Sequence, residues 1–185
     1  EGVSYIQRTT KGRFRVSAAR AFLNPAKSRK NLNIVTNAFV TKLIIENKTV
    51  IGVELLKGGK NGQKISIKAN KEVILSSGVI KSPHILQLSG VGSGKHLQEL
   101  GIDVIHDLKG VGMNLRDHFA PRMTARAKNV ETINERSRGF KLLKEIGKYI
   151  IGKQSIVNLS PTLVYCFWHS DETIRNHDLQ LTFTP

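Results

Sequence analysis

Apolar and polar positions along this chain change period several times, and each change predicts an element. Between residues 32 and 56, Ile34, Val35, Val40, Leu43, Ile44 and Ile45 are β-favouring, Glu46–Thr49 supply a turn, and Val50, Ile51 and Val53 resume the pattern. A hairpin is predicted. The polar stretch KGGKNGQ at 57–63 is a second turn, after which Ile65, Ile67 and Ala69 alternate with Ser66 and Lys68 as a half-exposed third strand, completing a meander. Val73, Ile74 and Leu75 run without alternation, as a strand buried on both faces of a central parallel sheet does. A short helix follows, with Ser82 as N-cap, Pro83 at its first position, Ile85, Leu86 and Leu88 on its buried side, and a stop at Ser89–Gly90.

A second short helix fits 94–100, closed by Gly101, and Ile102, Val104 and Ile105 then read as a strand. Residues 110–118 form another glycine-bearing turn. Phe140, Leu143, Ile146 and Ile150 line one side of a helix over 138–151, with Lys141, Lys144 and Lys148 elsewhere on it. A solvated basic face over a packed apolar one accounts for this pattern more simply than a membrane-surface helix. From Leu159 onward, LSPTLVYCFWH and DLQLTF are strand-like. There is no internal repeat, and the change of pattern places a domain boundary near residue 119.

Composition changes this picture only in part. With 39% hydrophobic and 23% charged residues, the 185-residue chain has the make-up of a folded domain. The formal charge of +15 points to nucleic acid, an anionic membrane or an acidic ligand. Residues 1–30 alone hold eight basic side chains against the single acid Glu1. A basic nucleic-acid-binding module is therefore the alternative reading, but aromatic content is only 6% and no RNA-recognition or zinc-finger motif is present. Cys166 is the sole cysteine, which excludes an internal disulfide and a cysteine metal cluster. No apolar run approaches a membrane span, and the first residues lack the form of a signal peptide.

The strand-to-helix turn at Ser76–Ser77–Gly78 is the arrangement open α/β sheets use to hold ligands at the carboxyl ends of strands, and a glycine there lets backbone approach the ligand. Taken alone, a purely structural turn explains it equally well. The whole stretch EVILSSGVIKSPHILQLSGVG, 72–92, resembles the second signature of the glucose-methanol-choline (GMC) family of flavin oxidoreductases, and HLQELGIDVIHDLKGVGMNLRDH, 96–118, resembles the family stretch that follows. RVSAARAFLNPA, NLNIVTNAFVTKLI and VIGVEL precede the signature in the family's order. The tail from Leu159 is similar to the choline-dehydrogenase-like branch.

The resemblance implies an α/β (α+β) fold: an FAD-binding portion with a β-meander over residues 1–118, joined to the start of an antiparallel-sheet substrate domain over 119–185. It implies FAD as cofactor and hydride transfer from a primary alcohol, with choline a candidate substrate and the electron acceptor open. It also implies that the backbone of Val40 faces the adenine edge, that Ser77 and Gly78 lie near the adenosine end, and that Val40 and Gly78 are close together. The family's glycine-rich pyrophosphate fingerprint and its catalytic histidine region are expected outside these residues, so the chain reads as an internal piece, inactive alone. None of His84, His96, His106, His118, His169 and His177 matches the catalytic position; no catalytic residue and no metal ligand is assigned. Asn114 and Asp117 read equally as turn formers. The partner is a small-molecule alcohol rather than nucleic acid, and the setting is the cytoplasm or the periphery of the inner membrane.

Overall fold

The computed structural model describes residues 2–160 and 162–184; Pro161, within the first strand-like stretch of the tail, lies outside them. In chain order the strands are β1 (Gly2–Tyr5), β2 (Thr10–Lys11), β3 (Phe14–Arg15), β4 (Ala38–Glu46), β5 (Thr49–Lys57), β6 (Gln63–Lys68), β7 (Val91–Gly92), β8 (His106–Asp107), β9 (Val164–Trp168) and β10 (Leu179–Phe183). The helices are α1 (Asn24–Ala26), α2 (Gly78–Leu88), α3 (Gly94–Glu99), α4 (Ile133–Arg136) and α5 (Gly139–Ile150). A π-helical turn, Ala19–Leu23, precedes α1, and a 3-10 turn, Ile156–Asn158, follows α5. The chain divides into two compact units: residues 33–121, and the residues up to Leu32 together with those from Arg122 onward. The fold is thus mixed α/β with antiparallel sheets, as expected.

In the 33–121 unit, β4, β5 and β6 form the predicted antiparallel meander in that order. Asn47 and Lys48 both take left-handed backbone (φ 48° and 62°), the conformation of the tight hairpin turn whose twist matches its strands. Helix α2 packs on β4. The joint is the buried Ser89, whose Oγ accepts from the Leu43 N–H at 2.8 Å and donates to the Ile85 carbonyl at 2.5 Å. Leu43, Leu55, Ile85 and Leu97, from β4, β5, α2 and α3, are the buried apolar side chains among the described residues, and all belong to this unit.

Three expectations fail here. Residues 72–76 carry no ladder and Ile74 is 78% exposed, so Val73–Leu75 is not a buried strand. Such a strand needs partners on its edges and cover on both faces, and no other described residue supplies them. Helix α2 begins at Gly78 rather than at Ser82–Pro83. Gly78 makes the entry turn at φ 82°, Ser82 Oγ accepts the Ser77 N–H at 3.0 Å, and Pro83 sits inside the helix at the cost of one backbone hydrogen bond. After Gly101 the ladder falls on His106–Asp107, parallel to Val91–Gly92, instead of on 102–105. The register is set by Gly90, whose carbonyl accepts from Ile105 and His106 at 2.8 and 3.1 Å. At φ 81°, with the place of a Cβ only 2.5 Å from the Asp103 carbonyl oxygen, that position accepts glycine alone.

In the other unit, β9 is flanked by β1 and β10, both antiparallel to it. Among the described residues, the buried side chains of this unit are polar: Glu145, 3% exposed, and Ser155. Glu145 Oε1 receives Lys148 Nζ at 2.6 Å and Arg136 at 2.5 Å, and Oε2 receives the Ile156 N–H at 3.0 Å. Ser155 Oγ donates to the Glu145 carbonyl at 2.7 Å. Helix α5 therefore turns its carboxylate inward, and the predicted packed side is the open one, with Phe140 91% exposed and Leu143 and Ile150 also exposed. The basic N-terminal arm belongs to this unit through the β1–β9 ladder, and two of its arginines add contacts to backbone carbonyls. Arg13 donates to the Tyr149 and Ile150 carbonyls at the end of α5 and lies over the Phe14 and Tyr149 rings, while Arg8 donates to the Asn158 carbonyl at 2.7 Å.

Two consequences are measurable. Ser89→Ala leaves the Leu43 N–H buried without an acceptor, so urea denaturation should show a loss of about 1–3 kcal/mol. Hydrogen bonds from Lys148 and Ile156 lower the Glu145 carboxyl from 4.5 to about 2 against the opposing effect of burial. The ionised form is thus favoured in the folded state: its stabilisation is complete above pH 4.5 and is lost as pH falls toward 2. Urea midpoints of wild type and Glu145→Gln should differ most at neutral pH and converge across that window.

Candidate functional site

The site anticipated around Val40, Ser77 and Gly78 lies on elements of the 33–121 unit, the first on β4 and the others at the entry to α2. Val40 is half-buried opposite Leu55, and Leu43 is buried opposite Val53. A regular strand puts residues three apart on opposite faces, yet Leu55 and Val53 share one face. The difference is a bulge: the register passes from Val40↔Leu55 to Lys42↔Glu54, leaving Thr41 without a ladder partner. The extra residue returns both Val40 and Leu43 to the core face and interrupts the backbone pairing beside Val40.

Side chains on the opposite face hold this bulge. The Thr41 hydroxyl lies 3.1 Å from the Glu54 carbonyl oxygen and 3.2 Å from Glu54 Oε1, a shared hydrogen bond, and Lys64 Nζ from β6 reaches Glu54 Oε2 at 2.7 Å. The Lys64 hydrogen bond lowers the Glu54 carboxyl pKa, partial burial opposes it, and Thr41 adds to the lowering. The carboxylate therefore stays an acceptor for both neighbours.

Ser77 and Gly78 are exposed. The Ser77 N–H is engaged by Ser82 Oγ, which leaves its hydroxyl as the group available to a ligand. Gly78 combines φ 82° with open space, since nothing lies within 4 Å of the place a Cβ would occupy. An accessible glycine turn and an interrupted edge strand suit a group gripped through main chain, as the adenosine half of a dinucleotide would be. Asn114, at φ 59°, and Asp117, whose Oδ1 accepts the His118 N–H at 2.7 Å, are turn formers here.

Two concave surfaces lie elsewhere. One of about 600 Å³, lined by Trp168–Thr173, belongs to the β9–β10 connection, where His169 stacks on His177 at 4.5 Å between ring centroids. The other, about 390 Å³, is an apolar hollow of Ala18, Ala19, Phe22, Leu23 and Ala26. Neither includes Val40, Ser77 or Gly78. Among the described residues no cluster of three or more His, Cys, Asp or Glu is placed to hold a metal, and no helix is long and apolar enough to cross a membrane. The Thr41–Glu54–Lys64 link was missed from sequence, although two apolar residues three apart in a strand of period two were its signal.

Comparison with known proteins identifies the family. The sequence profile of the GMC oxidoreductases matches residues 1–120. An oxygen-dependent choline dehydrogenase of Pseudomonas fluorescens is 48% identical over 121 residues, which are 64% of this chain and 21% of that protein. One from Staphylococcus xylosus is 53% identical over 105 residues, 57% of this chain and 18% of its own length. Among solved structures, an FAD-dependent oxidoreductase from Chaetomium thermophilum superposes with a TM-score of 0.79 at 28% identity, covering 90% of this chain and 30% of that one. A formate oxidase gives 0.76 at 27% identity, over 90% and 29%. The fold is that of flavin-dependent oxidoreductases. This chain belongs to the GMC oxidoreductase family, and it spans about a fifth of the length of the curated relatives it matches.

Gly78→Ala would force an L-residue into left-handed backbone without a clash. It should lower stability by about 1–2 kcal/mol in urea denaturation; no change would show that the turn relaxes freely.

Proposed function

We propose that these residues form part of an enzyme that oxidises a primary alcohol, choline being the candidate, with FAD as hydride acceptor. The observation that carries this reading is the family match over residues 1–120 together with about half identity to choline dehydrogenases. In it, residues 1–118 contribute to the FAD-binding domain and 119–185 begin the substrate domain. When bound, FAD supplies the redox chemistry, while protein groups hold it and orient the alcohol. The backbone N–H and C=O of Val40 read the adenine edge, and the Ser77 hydroxyl and Gly78 main chain flank the adenosine.

No histidine of this chain is assigned as the proton acceptor. The matching relatives are named oxygen-dependent, which supports oxygen as electron acceptor. For the setting we retain the cytoplasm or the periphery of the inner membrane; the lysines and open apolar face of α5 favour a peripheral contact. The nucleic-acid reading has lost its support, since Arg8 and Arg13 of the N-terminal arm are engaged with backbone carbonyls and the family match accounts for residues 1–120.

The test uses the whole polypeptide that contains these residues. It should purify with a flavin absorbance that bleaches anaerobically when choline is added and returns with oxygen. A protein free of FAD, or one whose flavin ignores choline and other primary alcohols, would sink the reading.

A further inference from the structure

We infer that Thr41, held by Glu54 and Lys64, is a positioning residue for the adenine end of FAD, acting through the backbone of Val40. This rests on the FAD reading above and adds to it the device that fixes the contact. Recognition through main-chain N–H and C=O cannot be tuned by the residue's own side chain; it is tuned by whatever sets the direction of the peptide. At Val40 that is the bulge, because Thr41 is the extra residue and the following peptide leaves the regular ladder there.

Bulges are soft without a fixing contact, and this one has a chain of them across three strands. The Thr41 hydroxyl on β4 meets the Glu54 carbonyl and carboxylate on β5, and Lys64 on β6 holds the other carboxylate oxygen at 2.7 Å. The chain is cross-strand throughout. Glu54 stands opposite Ser66, and Lys64 opposite Leu56, so Glu54 and Lys64 are diagonal neighbours on one face. On the other edge of β4, Ser89 Oγ fixes the Leu43 N–H at 2.8 Å. The strand is thus pinned on both edges within three residues of Val40. A bulge that served packing alone would need only the apolar contacts of Val40 and Leu43; the polar clamp on its solvent side fixes direction.

The experiment compares FAD with FMN, which lacks adenosine, on the apoprotein of the whole polypeptide by flavin fluorescence titration. Thr41→Val keeps the β-branched shape and removes the hydroxyl. It should weaken FAD roughly three- to tenfold, the effect of one hydrogen bond, and leave FMN unchanged. Thr41→Ser should restore FAD affinity. An equal loss for both flavins, or none for either, overturns the inference. Should Thr41→Val hold no flavin at all, Lys64→Met carries the test, since Lys64 is largely exposed: an FAD-selective loss supports the inference, and an unchanged FAD-to-FMN ratio overturns it. A wild type that binds FMN as well as FAD would instead bring down the adenine contact itself, and the positioning role with it.

Discussion

The hydroxyl of Ser89 is the joint on which the 33–121 unit depends. It accepts from a sheet amide and donates to a helix carbonyl, so one buried oxygen fixes both the distance and the rotation of α2 against β4. The joint matters because apolar burial is scarce: the buried apolar side chains among the described residues come one each from β4, β5, α2 and α3. In the other unit the same scarcity is met differently. Glu145, Arg136, Lys148 and Ser155 form a hydrogen-bonded knot, and Arg13 ties the N-terminal arm to the end of α5. Directional polar contacts decide where elements sit, and many large apolar side chains stay exposed.

The two halves of the candidate site share a logic. At Val40 and at Gly78 the backbone is diverted, once by a bulge and once by a left-handed turn. A site of this kind places few demands on side-chain identity. That is consistent with relatives near half identity sharing one family profile.

Much of the 33–121 unit was legible because its determinants are local. Alternation in Ile65–Ala69, a turn at Asn47–Lys48 that needs two left-handed residues, and the Ser89–Gly90 stop each act within a few residues. The early start of α2 is set locally by Gly78 and Ser82, whereas the other failures turn on residues outside the segment itself. Val73–Leu75 reads as a buried strand only if other strands flank it. Helix α5 has an apolar stripe that pattern alone would bury, whereas the long reach of Arg136 and the Ile156 amide turn Glu145 inward instead. The bulge lies between: its signal is present in the spacing of Val40 and Leu43, but the Glu54–Lys64 clamp appears only once three strands are aligned.

Trp168, at the end of β9, is the only tryptophan of the chain, and the 33–121 unit has none. Its emission therefore reports the loss of one unit and is blind to the other, whereas circular dichroism weighs both. The protein carries its own reference signal for whether its two units melt as one cooperative body: coincident curves mean a single transition, and separated curves mean that the polar knot and the serine joint give way independently.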